Sequence, residues 1–258
     1  MRFAHRTLTR PPLSSHADLL WLAEGYAQPH SCERLLPTGN MDMVLSLDGE
    51  RGRDTVAGAQ SHFTILDTSR PLSLIGARFR PGGGFPFFGV PAGELHNLCV
   101  PLDALWGAAA AQLREQLHEA RTAAARFDIL EQVLLQRLRA GRSRSPVVRY
   151  AIGRFKDPTH SASVAAVVER TGFSQRHFIA TFRDEVGLTP KVFARITRFR
   201  RVIDSLRDSS EVDWSALALE CGYFDQAHFI HDFRDFAGIS PSVYLQQRMS
   251  SNHVRMAE

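Results

Sequence analysis

The residues with reactive side chains are scattered in this chain, and the scatter limits what they can do. Cys32, Cys99 and Cys221 are its three cysteines, far apart and without a CxxC or zinc-ligand spacing. They read as reduced, buried thiols of a cytoplasmic protein. His62 and His96 are isolated, which argues against a metal centre. His228 and His231 have the His-x-x-His spacing that can hold a metal on a helix face, but no Cys or carboxylate completes a set at a suitable distance. Arg80-Pro81-Gly82-Gly83-Gly84 lacks the Gly-Lys-Ser/Thr of a phosphate loop and the GxGxxG that opens a helix. Pro86 and Pro91 argue against a helix after it, so a turn between strands is expected there. No Ser/His/Asp arrangement or carboxylate pair stands at a readable spacing. No catalytic residue, metal or cofactor is therefore expected, and the chain does not read as an enzyme.

What the chain does space regularly is phenylalanine, arginine and glycine. Thr171 to Pro190 and Cys221 to Pro241 are two copies of one pattern, His-Phe-Ile-x-x-Phe-Arg-Asp followed by Gly and Thr/Ser-Pro, with Phe224 as the one extra residue. Each copy follows a short apolar helix, Val164 to Arg170 after Ser163 and Trp214 to Glu220 after Asp213. Ser and Asp cap helix starts because their oxygen accepts an orphan backbone N–H. Gly172 and Gly222 end these helices, where a left-handed residue suits Gly. A second helix starts at Ser174 or Asp225, with Phe178/Phe182 and Phe229/Phe233 as i, i+4 pairs facing the core. Gly187 and Gly238 end it. Thr189-Pro190 and Ser240-Pro241 start the next helices, with Pro in the first turn. Helix, short glycine turn and capped helix make a helix-turn-helix unit, here twice. A central helix from Pro190 to Leu206 joins the units, with Phe193, Ile196, Phe199, Ile203 and Leu206 as its apolar stripe.

On these residues the region from about Val147 to Met249 resembles the DNA-binding domain of AraC-type transcriptional regulators. The resemblance implies that the second helix of each unit enters the major groove of double-stranded DNA. Base contacts are then expected from Gln175, Arg176, Ile179 and Ala180 in the first unit, and from Gln226, Ala227 and His231 in the second. Gln pairs with adenine, Arg with guanine, and apolar side chains touch the thymine methyl. Phosphate contacts are expected from Ser174, Arg183, Arg195, Arg198, Arg200, Arg201 and Arg234. Family members often carry Arg or a larger polar residue where Ala180, Ala227 and His231 stand, so shape readout gains weight. The other classes weighed are an adaptor whose second unit is degenerate and an alkyl-accepting repair protein of the Ada type. The latter would need clustered zinc-binding cysteines.

The first half must carry these helices. Nine of 13 prolines and 12 of 18 glycines precede position 108. Strands are expected at 43–47, ending in an Asp48-Gly49 turn, at 62–66, and at 72–79 with Leu72, Leu74, Ala77 and Phe79 buried. Glu24-Gly25-Tyr26, Glu33 to Pro37, Arg78 to Gly83 and Phe88 to Leu95 resemble a cupin-like domain that often precedes such regulators. The expected fold is α+β in two domains. A small β-barrel, cupin-like domain with C-terminal helices spans 1–140, a linker 141–146, the all-α domain 147–249 and a tail 250–258. The β domain is expected to bind a small-molecule effector, with Trp21, Tyr26, Phe85, Phe87 and Phe88 as a pocket or as plain core. Alternatively it forms a homodimer through the helices from Leu113 to Leu138. RNA polymerase is a further expected partner. No membrane span or signal peptide is evident. The net charge of +4 is mild, yet it is uneven. Residues 170–207 carry nine basic against three acidic side chains, or +6, and residues 208–258 three against eight, or −5. The first unit is therefore expected to anchor on phosphates.

Overall fold

Apolar runs between the prolines and glycines of the first half form strands in the computed structural model, which describes residues 1–48, 54–140, 144–157, 163–207, 212–248 and 253–256. These strands are β1 (Arg2–Thr7), β2 (Ala17–Tyr26), β3 (Cys32–Leu35), β4 (Met41–Ser46), β5 (Thr55–Ala57), β6 (Thr64–Asp67), β7 (Leu72–Phe79) and β8 (Cys99–Pro101). The larger sheet is antiparallel, in the order β1-β2-β7-β4-β5-β8. The expected strands at 43–47, 62–66 and 72–79 correspond to β4, β6 and β7. Gly49 of the Asp48-Gly49 turn lies outside the described residues, although β4 and β5 pair as its two arms would.

In β7 the buried set is Leu72, Ile75, Ala77 and Phe79, while Leu74 is only half-buried. Opposite Leu72 and Leu74 the neighbouring β2 carries one extra residue between Ala23 and Tyr26, a bulge that locally interrupts the ladder. The helix judged absent after the glycine run is also present: α1 (Phe85–Phe88) is one turn long, with Pro86 in its first turn. Proline costs nothing there, because the first-turn N–H groups have no helical partner in any case.

Three helices close the β domain: α2 (Leu102–Trp106), α3 (Ala108–Glu119) and α4 (Ala123–Ala140). Leu113, Leu117, Leu130 and Leu134 are buried in the domain's own core. Ile129 and Val133 are half-buried and face a groove of about 420 Å³ between α3 and α4. The stripe thus serves its own domain first. The aromatics expected as pocket or core are split: Phe87 and Phe88 pack on Phe79, with ring centroids 5.0 and 5.4 Å away. Tyr26 instead donates its hydroxyl to Glu33 at 2.8 Å.

Residues 141–143 of the expected linker lie outside the described residues. Ser145 already caps α5 (Pro146–Lys156), accepting from the Val147 N–H. There follow α6 (Val164–Glu169), α7 (Gln175–Val186), α8 (Pro190–Ser205), α9 (Trp214–Glu220), α10 (Gln226–Ala237) and α11 (Pro241–Gln247). The chain then returns to the β domain. In the tail, β9 (His253–Arg255) pairs antiparallel with β3, giving a second sheet in the order β6-β3-β9.

The helical half packs directly on the β half. Gly187 ends α7 at φ +86°, and a Cβ there would lie 3.1 Å from the Ala92 carbonyl oxygen and 3.2 Å from Ala59 Cβ. A Cβ on Gly93 would lie 3.0 Å from Arg183 Cγ and 3.1 Å from the Arg183 carbonyl oxygen. Glycine is needed at both places because backbone meets backbone there.

Candidate nucleic-acid interface

The two units are built alike. Ser163 caps α6 and Ser174 caps α7, accepting from the Ala166 and His177 N–H groups. Asp213 and Asp225 do the same for α9 and α10. Gly172, Gly187, Gly222 and Gly238 all have positive φ, at 69°, 86°, 84° and 67°. Phe178, Phe182, Phe229 and Phe233 are fully buried, and so are Phe193, Ile196, Phe199 and Ile203 of α8. Aromatic contacts tie the layers: Phe182 to Phe193 at 5.6 Å and Phe199 to Phe233 at 5.1 Å between ring centroids. Each such pair adds about 0.5–1.5 kcal/mol beyond the area it buries. α8 therefore holds α7 at one end and α10 at the other.

That packing turns one face of each second helix outward. On α7, Gln175, Arg176 and Ala180 are exposed and Ile179 is half-buried. On α10, Ala227 and His231 are exposed, while Gln226 is half-buried and its Oε1 accepts from the Ser215 hydroxyl at 3.0 Å. His231 Nε2 stands 3.8 Å from Asp235.

The arginines fall into two groups. Arg176, Arg183 and Arg234 are exposed on α7 and α10. Arg183 also lies against Gly93, so the last turns of α7 are shared between solvent and the β domain. The four arginines of α8 are engaged inside the protein. Arg195 donates from Nε and Nη2 to Asp232 Oδ1 at 3.0 and 2.6 Å and from Nη2 to Asp235 at 2.8 Å. Arg198 reaches within 3.8 Å of Asp232 and lies over the Tyr223 ring. Arg200 pairs with Asp204 at 3.5 Å, and burial pulls its pKa down. Arg201 donates to the carbonyls of Phe155 and Asp157 at 3.2 and 2.8 Å.

Asp232 is the residue that pattern reading missed. It is 1% exposed, on the inner side of α10, and faces Arg195 and Arg198 of α8. The excess of acids after residue 208 was its only trace in the sequence. Part of that acidity is internal pairing between α8 and α10.

In the smaller sheet, Glu33 of β3 is fully buried. Its carboxylate takes hydrogen bonds from the Tyr26 hydroxyl at 2.8 Å, and lies 3.1 Å from His30 Nε2 and 2.6 Å from His253 Nδ1 of β9. Burial pushes this carboxyl up, but the hydrogen bonds from His253, Tyr26 and His30 outweigh it and hold it below the usual value. No group of three or more metal-ligating side chains occurs among the described residues. No helix among them is long and apolar enough to cross a membrane.

Residues 163–247 match a family described as a helix-turn-helix domain, and residues 5–101 match one described as a domain of unknown function, DUF6597. An uncharacterized HTH-type transcriptional regulator of Haemophilus influenzae is 29% identical over 93 residues, 36% of this chain and 31% of that protein. The match thus spans about a third of that relative's length. A probable AraC family transcriptional regulator from Rhodopseudomonas palustris, of known structure, is 29% identical over 40% of this chain and 96% of its own, with a TM-score of 0.35. ToxT from Vibrio cholerae is similar over 95% of each chain, at 9% identity and a TM-score of 0.40.

Proposed function

We infer that this chain, whose residues 163–247 match a helix-turn-helix family and follow a β-rich domain, is an AraC-type transcriptional regulator that binds specific double-stranded DNA in the cytoplasm. The observation that carries the reading is the pair of congruent, capped helices α7 and α10, set at the two ends of α8 with their outer faces uncovered. Recognition helices enter the major groove by their first turns. Gln175, Arg176, Ile179 and Ala180 then read bases from α7, and Gln226, Ala227 and His231 from α10. Arg183 and Arg234, with Ser174 at the start of α7, meet phosphates.

The α8 arginines act differently in this proposal. Arg195, Arg198, Arg200 and Arg201 set the angle between the two units, and any phosphate contact from them comes second to that. The proposal extends to RNA polymerase as the partner of a regulator on DNA. It also extends to a small-molecule effector or a second copy of the chain, met at the groove between α3 and α4. Selection from a randomised duplex library by the full chain tests the core of it. Enrichment of one sequence supports the reading. A library still random after repeated rounds at low salt would favour the adaptor reading, for which the Asp232–Arg195 pairing between α10 and α8 is the supporting observation.

A further inference from the structure

The second unit has an apolar residue that its own fold does not use. In the first unit, Gly172 is followed by Phe173, whose ring packs on His177 at 4.5 Å, and then by the cap Ser174. In the second, Tyr223 takes that packing role, its ring 5.2 Å from His228 and 5.5 Å from Phe229. Phe224 is the inserted residue between Tyr223 and the cap Asp225. Its surface is 85% exposed, more than any other large hydrophobic residue among those described.

Its place matters more than its exposure. Phe224 directly precedes the cap of α10, at the end of the helix that leads into the groove. Beyond the cap, in the first turns of α10, Ala227 is exposed and Ile230 half-buried. The polar side chains there are partly committed: Gln226 accepts from Ser215, and His231 lies near Asp235. The unit is also acidic, which disfavours a grip on phosphates. An apolar leading end in the major groove has one base-specific partner, the C5-methyl of thymine. Resting on the DNA-binding reading above, we propose that Phe224 is a specificity-determining residue that packs on a thymine methyl in the half-site of the second unit. The insertion gives α10 an apolar means of reading DNA where α7 uses Arg176.

The test uses the full chain and the duplex it selects from a randomised library. Each thymine of that duplex is replaced in turn by deoxyuridine, which removes only the methyl. Affinity is measured for the unsubstituted protein and for Phe224→Ala, with thermal midpoints compared to check folding. Loss of one buried methyl-sized contact is worth about a three- to fivefold change in affinity. One deoxyuridine position should weaken the unsubstituted protein by that factor and leave Phe224→Ala unaffected. If Phe224→Ala keeps the same sensitivity at every position, or if no position is sensitive for either protein, the proposal is overturned while DNA binding stands. If the library yields no enriched duplex, the DNA-binding reading fails and this inference fails with it.

Discussion

Asp232 joins the chemistry of the second unit to its architecture. A carboxylate with 1% exposure is tolerable only with its charge answered, and Arg195 answers it with two hydrogen bonds while Arg198 stands nearby. Removing one member of a buried pair strands the other. Asp232→Ala should cost about 2–3 kcal/mol, somewhat below the ~3–5 kcal/mol of a fully buried pair, because Arg195 keeps one side in water. Urea unfolding followed by tryptophan fluorescence checks this, and an unchanged midpoint would contradict it. Individual residues were legible where a local rule governs them. Caps, helix-ending glycines and buried phenylalanines follow from nearest neighbours, and Ser174, Asp225, Gly187 and Phe229 stand as expected. Asp232 was not legible, because its partners lie on another helix some 37 residues away. The same holds for the α8 arginines, whose spacing looks solvent-facing until α10 and α5 are packed against them.

Among the elements, β9 has the clearest consequence. It is a three-residue strand that carries the end of the chain back onto β3, and His253 brings a donor to the buried Glu33. Glu33 is held below its ordinary value of 4.5 in the folded protein, so it contributes stability above about pH 4.5. That contribution is lost as pH falls through the lower folded value. Glu33→Gln should therefore lower stability at neutral pH by the ~1.5–3 kcal/mol of hydrogen bonds to a charged group, read as a lower thermal midpoint. The gap to the unsubstituted protein should close in acid. A gap of constant size down to about pH 3 would refute the assignment, since the carboxylate's charge would then be doing nothing. The helices α6 to α11 were legible because apolar spacing, caps and glycines agree in them. β9 offered no such pattern: three residues in a polar tail gain strand geometry only from the free edge of β3. α1 was missed for a related reason, since one helical turn with proline at its start reads as a loop.

The whole molecule is two domains held on one shared core, with the β half pressed on the end of α7 and joined to the tail. The arrangement seats α7 against the β half, and α8 sets the separation of α7 and α10. Sixteen residues make α8 roughly 24 Å long. Successive major-groove faces lie about 34 Å apart, so helix widths and a bend in the duplex must supply the difference. A bound site of about 20 bp should be bent, and a circular-permutation gel assay showing straight DNA in the complex would count against this spacing. The two-domain order was visible in composition alone, from the early concentration of proline and glycine. The docking of the domains was not, because it depends on close approaches at Gly93 and Gly187 that no local pattern reveals. The central claim is that α7 anchors the chain on a specific duplex through Arg176. The most direct measurement is the affinity for the selected duplex and for a scrambled one, for the unsubstituted protein, Arg176→Ala and His231→Ala, across a salt series. The selected duplex should bind at least about a thousandfold more tightly than the scrambled one. Arg176→Ala should lose most of that ratio and His231→Ala less. Equal affinity for both duplexes, or a ratio that survives Arg176→Ala and collapses with His231→Ala, would contradict the account.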